Sequence, residues 1–312
     1  MKMGNELGKF DHLFKNIIPN SVGGIKIFSE NDSYKITQQY DSVTKLENKL
    51  WSNLYQKLEF ILDQYASKEY LIGLHALSIP NNKFPEFDTI SPLIKNSTGW
   101  ELIPVAGFLD EELFFKINTN HQFPVTDIIR ESPRFDEKYS DITIQNKSGY
   151  TPEPDIFHDI QGHIPLLMNK KYADFIWEIG VLGYKIVKDE RGLGSELVHH
   201  NLKRLQNFSW WTYEYGLIKS ASETNKFRRA DNDIPYEIYG SGIISSYDET
   251  INIIDCAKGK SKQSKFLNYD IEEIILTCFD YSNIQDRYFV IDSMDYLYKS
   301  FKKNKELFFY EG

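Results

Sequence analysis

From Ser42 to Tyr65 apolar side chains recur at Val43, Leu46, Leu50, Leu54, Leu58 and Leu62, and this three-or-four spacing predicts a long amphipathic helix whose apolar stripe other elements must cover. Helical patterns follow at Tyr70–Leu77, Glu111–Asn118, Pro154–Gln161, Lys171–Asp189, Leu197–Lys219 and Ile271–Leu276. Strand signals are few. Leu102–Gly107 reads as a short buried strand, and Ile25–Phe28 with Tyr34–Thr37 as a hairpin around Asn31–Ser33. Pro80, Pro85 and Pro92 punctuate a loop. The expected fold is mainly α with a few short strands. With no repeat and no low-complexity linker, residues 39–312 form one domain behind a polar lead-in, residues 1–38.

A chain of 312 residues, 41% hydrophobic, can bury a sizeable core, and its 20 Tyr and 21 Phe are expected mostly inside it. A formal charge of −9 argues against nucleic-acid binding, which needs a concentrated basic surface. No signal-peptide stretch opens the chain and no apolar run approaches ~18 residues, so a cytoplasmic location without membrane contact is expected. Cys256 and Cys278 are too few for a disulfide framework and are expected as free thiols.

The sequence has no phosphate-binding loop, no H-E-x-x-H, no G-x-S-x-G and no dinucleotide fingerprint. Instead, Thr151–Pro165 crowds two histidines and three carboxylates into fifteen positions. On an ideal helix, side chains five apart point ~140° away from each other, so His158 and His163 share an ion only if the helix ends or bulges between them. Gly162 sits where such a break would fall, giving a short helix carrying His158 and a turn carrying His163. A third ligand is offered by Glu214, a lone carboxylate in the aromatic segment Trp210–Leu217, where an unpaired charge would be costly. Two imidazoles and a carboxylate on one face of an ion leave positions open for oxygen activation at iron. The same three residues would serve zinc in hydrolysis.

These segments, with Pro104–Leu109, Phe123–Arg130, Tyr239–Ser246 and Gln285–Asp292, occur in an order that resembles the pterin-dependent aromatic amino acid hydroxylases. The resemblance implies that family's catalytic-domain fold and an iron- and tetrahydropterin-dependent monooxygenase. His158, His163 and Glu214 would be the Fe(II) ligands, with Asp155 orienting an imidazole. Gly107, Phe108, Leu109 and Phe114 would bind and stack the reduced pterin, with Asp159 beside it. Arg130 would hold the substrate carboxylate, and Thr151, Pro154, Trp210, Tyr215, Gly242 and Ser245 would line the amino-acid pocket. Oxygen would be the cosubstrate and L-phenylalanine, yielding L-tyrosine, the leading substrate. Tyrosine, tryptophan or another carboxylated aromatic is the alternative.

Departures from the family pattern bear on specificity. Ser209 stands where the family usually has tyrosine, and the stretches Glu131–Tyr150, after Lys185 and after Ser220 are longer than usual and expected to border the pocket. Tyr281 is a further specificity position. The resemblance covers no regulatory domain and no tetramerisation helix, so a monomer is expected, its apolar tail Leu307–Tyr310 docking on its own core or on a partner. A zinc-dependent hydrolase and a non-catalytic amino-acid-binding protein are the readings from other classes.

Overall fold

In a computed structural model, residues 27–106, 108–130, 155–220, 232–281 and 283–312 are described. Helix α1 (Lys45–Tyr65) starts at a capping box: Thr44 accepts from the Glu47 backbone and Glu47 accepts from that of Thr44. Its buried stripe is turned from the aliphatic one towards the rings, with Trp51, Tyr55, Leu58, Leu62 and Tyr65 inside and Leu46 outside. Helix α2 (Lys68–Leu77) follows at once. Residues 87–98, part of the expected proline loop, are instead helix α3 (Phe87–Thr98). Pro92 is tolerated there because the carbonyl that its missing N–H strands belongs to exposed Asp88.

Among the described residues the expected hairpin does not form. Strand β1 (Ile27–Phe28) pairs in parallel with β3 (Phe108–Leu109), and Lys35 bridges to Val105. Strands β2 (Glu101–Pro104) and β4 (Gln122–Val125) form a second parallel pair, flanking α4 (Glu111–Thr119). Beyond it a π-helical segment, Phe157–His163, runs without a break into α5 (Ile164–Leu167), and α6 (Lys170–Val187) packs on α4.

The expected Leu197–Lys219 helix is three elements: α7 (Ser195–Ser209), a second π segment (Trp210–Glu214) and strand β5 (Leu217–Lys219). The strand breaks helical continuity because it is claimed on both sides. It pairs antiparallel with β6 (Tyr236–Ile238) and parallel with β8 (Arg287–Ile291), which in turn pairs with β7 (Lys265–Asn268). Helices α8 (Ser241–Ile244), α9 (Tyr247–Ala257), α10 (Ile271–Ile274) and α11 (Met294–Lys303) complete the mainly helical shell. The tail docks on its own core: Phe308 is fully buried against Phe208 and Phe301. The stretch Asp189–Ser195 supports this tail and lines neither cavity described below: Arg191 pairs with Glu306 and Glu311 and covers Phe309. Residues Glu131–Tyr150 and those after Ser220, up to 231, lie outside the described residues.

Candidate functional site

The two π segments build the centre. In the first, widened winding puts side chains five apart on one face, so His158 and His163 converge, their Nε2 atoms 3.0 Å apart. A bulge, not a helix end, solves the spacing. Gly162 serves close packing rather than a break, since a Cβ there would lie 2.8 Å from the Ser241 carbonyl oxygen. The second segment ends by donating the Tyr215 N–H to the Trp210 carbonyl, five residues back, and brings Glu214 to the histidines. Glu214 oxygens lie 3.2 Å from His163 Nε2 and 3.6 Å from His158 Nε2.

Ser241 and Ser245, on successive turns, fix this centre. Ser245 gives its hydroxyl hydrogen to the Ser241 carbonyl at 2.9 Å, so towards His158 Nδ1, 2.9 Å away, its oxygen must accept. The His158 hydrogen therefore sits on Nδ1 and the Nε2 lone pair faces the centre. Ser241 donates to Glu214 Oε2 at 2.6 Å. Burial pushes His158 down to about 4, keeping it neutral. Burial alone would raise Glu214, but His163, His158 and Ser241 together outweigh it and hold the carboxyl at about 2. Donors in this arrangement fit a divalent cation: two nitrogens each at ~2.1 Å from one ion lie ~3.0 Å apart at a right angle and ~3.4 Å apart tetrahedrally, which the observed spacings bracket. Among the described residues, these three are the group of histidine, cysteine and acidic side chains close enough to hold an ion.

A cavity of about 350 Å³ opens on the centre, its lining including Arg130, Trp210, Tyr215, Gly242, Ser245 and Tyr281 together with Leu109, Phe114 and Ser209. Trp210 is stacked between Tyr215 (4.5 Å) and Phe279 (4.1 Å), and its Nε1 donates to Gln285 Oε1 at 3.0 Å. Gly242 has no room for a side chain, because a Cβ would meet the Tyr215 ring at 2.7 Å. Arg130 is buried and doubly bonded to Asp155, Nε to Oδ2 and Nη2 to Oδ1, both at 2.8 Å, and Nη1 reaches the Ser245 carbonyl at 3.2 Å. Burial would raise Asp155, but Arg130 outweighs it and keeps the pair ionic. Asp155 therefore orients the arginine rather than an imidazole; towards His158 it accepts only the backbone N–H. Ser245 takes the imidazole-orienting role.

A second cavity, about 290 Å³, reaches the triad from the α4–α6 side and holds Asp159, with Phe114 and Leu109 shared. Burial pushes the Asp159 carboxyl well up, and its Oδ2 accepts from the Thr126 N–H. Asn118, Thr126 and Tyr172 line it, and among the described residues Asn118 Oδ1, Thr126 Oγ1 and Tyr172 OH have no hydrogen-bond partner. Gly107, Thr151, Pro154 and the side chain of Phe108 lie outside what is described. The sequence alone did not single out Ser241; its signal is the four-residue spacing to Ser245, which stacks both hydroxyls on one face of a helical turn.

The model of the biopterin-dependent aromatic amino acid hydroxylases matches residues 26–308. Phenylalanine-4-hydroxylase of Chromobacterium violaceum is 30% identical over 267 residues, 86% of this chain and 76% of that protein. The Ralstonia nicotianae enzyme of the same name is 30% identical over 265 residues, 85% and 72% respectively. The crystal structure of the C. violaceum enzyme with bound iron(III) and 7,8-dihydrobiopterin superimposes with a TM-score of 0.71 at 28% identity, covering 90% of this chain and 88% of that one. A second structure of it, with iron and phenylalanine, gives 0.69. The chain belongs to the biopterin-dependent aromatic amino acid hydroxylases.

Proposed function

We propose that the protein converts L-phenylalanine to L-tyrosine, with His158, His163 and Glu214 holding ferrous iron. The observation that carries this is the convergence of a two-histidine, one-carboxylate set at a cavity whose wall also presents a buried arginine and an aromatic stack. Iron bound there supplies oxygen activation together with the reduced pterin. The chain's own part is positional. Arg130, fixed by Asp155, takes the amino-acid carboxylate; Trp210 and Tyr215 hold the ring; Gly242 and Ser245 leave space for the backbone, with Thr151 and Pro154 assigned by resemblance. Leu109 and Phe114 cover the flat pterin, Gly107 and Phe108 are assigned to it by resemblance, and Asp159 stands near it. The relatives' printed names, and the C. violaceum structure with phenylalanine, favour this substrate.

The same reading takes residues 39–312 as a single catalytic domain acting as a cytoplasmic monomer. Burial of the tail on its own core supports the monomer, and among the described residues no helix is long and apolar enough to cross a membrane. Anaerobic reconstitution with Fe(II), followed by oxygen, tetrahydropterin and each aromatic amino acid in turn, tests the activity. Tyrosine formed from phenylalanine is expected. Hydroxylation of tyrosine or tryptophan in preference to phenylalanine would overturn the substrate assignment.

A further inference from the structure

Trp210 is restrained from three directions. Tyr215 stacks on it at 4.5 Å and Phe279 at 4.1 Å, with interplanar angles of 26° and 10°. Two rings at those distances on one face would overlap, so they take opposite faces and leave Trp210 only its edges to offer the cavity. Its Nε1 donates to Gln285, whose amide in turn donates to the Asp280 and Asn283 carbonyls. Tyr215 is buried and its ring abuts Gly242, so it cannot yield. Phe279 is half-buried, lines the same cavity and lies outside every helix and strand. The backbone on either side of it is pinned: the Thr277 carbonyl accepts from Trp211 Nε1 at 2.8 Å and the Asp280 carbonyl from Gln285 Nε2 at 2.6 Å. The Phe279 ring is therefore placed by the chain that carries it, not only by the tryptophan it covers.

We propose that Phe279 is a specificity-determining residue that limits the amino-acid pocket to a single six-membered ring. This rests on the functional reading above, in which Trp210 and Tyr215 hold the substrate ring. A bicyclic ring needs more room than a phenyl, and a close-packed aromatic wall gives that room only if one of its members moves aside. For Trp210 to tilt away, space must open behind one of its faces. Tyr215, backed by Gly242, closes one face and Phe279 closes the other. Truncating Tyr215 would also undo the packing at Gly242, whereas truncating Phe279 frees a face of Trp210 and leaves that turn intact. L-phenylalanine and L-tyrosine, with one ring each, enter while the wall stays in place. L-tryptophan requires Trp210 to move into the space that Phe279 fills.

The test compares L-phenylalanine with L-tryptophan on Fe(II)-loaded protein, by kcat/KM of hydroxylation and, under argon without pterin, by calorimetric Kd. Wild type should take phenylalanine and discriminate against tryptophan. Phe279→Ala should raise the tryptophan-to-phenylalanine ratio of kcat/KM about tenfold or more, mainly through a lower KM for tryptophan. The ratio of binding constants should move the same way, with iron content unchanged. Phe279→Leu should shift both ratios in the same direction by less, and it carries the test if the alanine variant fails to fold. Phe279→Tyr, which keeps the stacked ring, should keep the wild-type ratios. Unchanged ratios in the folded alanine or leucine variant, whatever the overall loss of rate, would overturn this inference alone. A wild type that hydroxylates tryptophan in preference to phenylalanine would overturn the substrate assignment and this inference with it.

Discussion

His158 is held by a hydroxyl, not by a carboxylate, and the difference is testable one residue at a time. Ser245→Ala removes the acceptor for the Nδ1 hydrogen and lets the ring rotate or change tautomer; Ser241→Ala frees Glu214 Oε2. Loss of an outer partner commonly costs ~10–100-fold in metal affinity, so each variant should release iron to a chelator about tenfold faster or at about tenfold lower chelator concentration, with its circular dichroism unchanged. Glu214→Ala should retain no stoichiometric iron after dialysis and show no turnover; full iron content would refute the triad. The converging triad was legible in the sequence because only a few side-chain types bind metal ions and two of the seven histidines fall five positions apart. Ser241 was not legible, because serine is common and its role appears only when the turn that carries it is packed on Glu214. Asp155 shows the converse: its nearness in sequence to His158 suggested an imidazole partner, but folding brings Arg130 to both of its oxygens.

Among the elements, those with a strong three-or-four period, α1, α4 and α6, stood out in the sequence. The four-stranded sheet did not, because its strands are short, scattered from Leu217 to Ile291, and gain their conformation from pairing rather than from local pattern. The π segments were half legible. The five-residue spacing demanded a distortion, but whether the backbone breaks or widens depends on tertiary contact. That contact is the close approach of the first π segment to α8 at Gly162. Gly162→Ala puts a methyl group 2.8 Å from a backbone oxygen, which cannot rotate away. The expected result is a loss of about 1–3 kcal/mol in urea unfolding, accompanied by weakened iron retention, because α8 begins at one of the two serines and is capped by the other. A variant with unchanged iron affinity would show that the two elements move independently. At the pocket, Gln285 ties Trp210 to the carbonyls of Asp280 and Asn283. Gln285→Leu should red-shift tryptophan emission and raise KM for the amino acid several-fold with a smaller change in kcat, as expected when substrate positioning is loosened.

At the scale of the whole molecule, the Trp210 wall of the cavity is anchored to the sheet through a buried acid. Glu249, on α9, accepts the Gln285 N–H at 3.0 Å and the hydroxyl of Tyr288 on β8, so it joins helix, sheet and the residue that holds Trp210. Burial pushes its carboxyl from the ordinary 4.5 up to about 7, and the two hydrogen bonds only partly oppose this. The sign follows from proton linkage. Between about 4.5 and 7 the folded chain keeps a proton that the unfolded chain has released, so the contribution to stability is complete below the lower value and is lost as pH rises through the upper one. Between pH 5.5 and 8 the loss from this one group is about 2 kcal/mol. Other groups titrate across the same range, which makes the difference between two proteins the quantity to measure. Glu249→Gln keeps the shape of the neutral acid and cannot ionise. Urea unfolding of both proteins across that range should show wild type falling relative to Glu249→Gln by about that amount. The KM for the amino acid in wild type should rise over the same interval, because a carboxylate forming under Gln285 disturbs the anchor of Trp210. Parallel stability curves would mean that Glu249 keeps one protonation state throughout, and the link from this acid to the pocket would have to be abandoned.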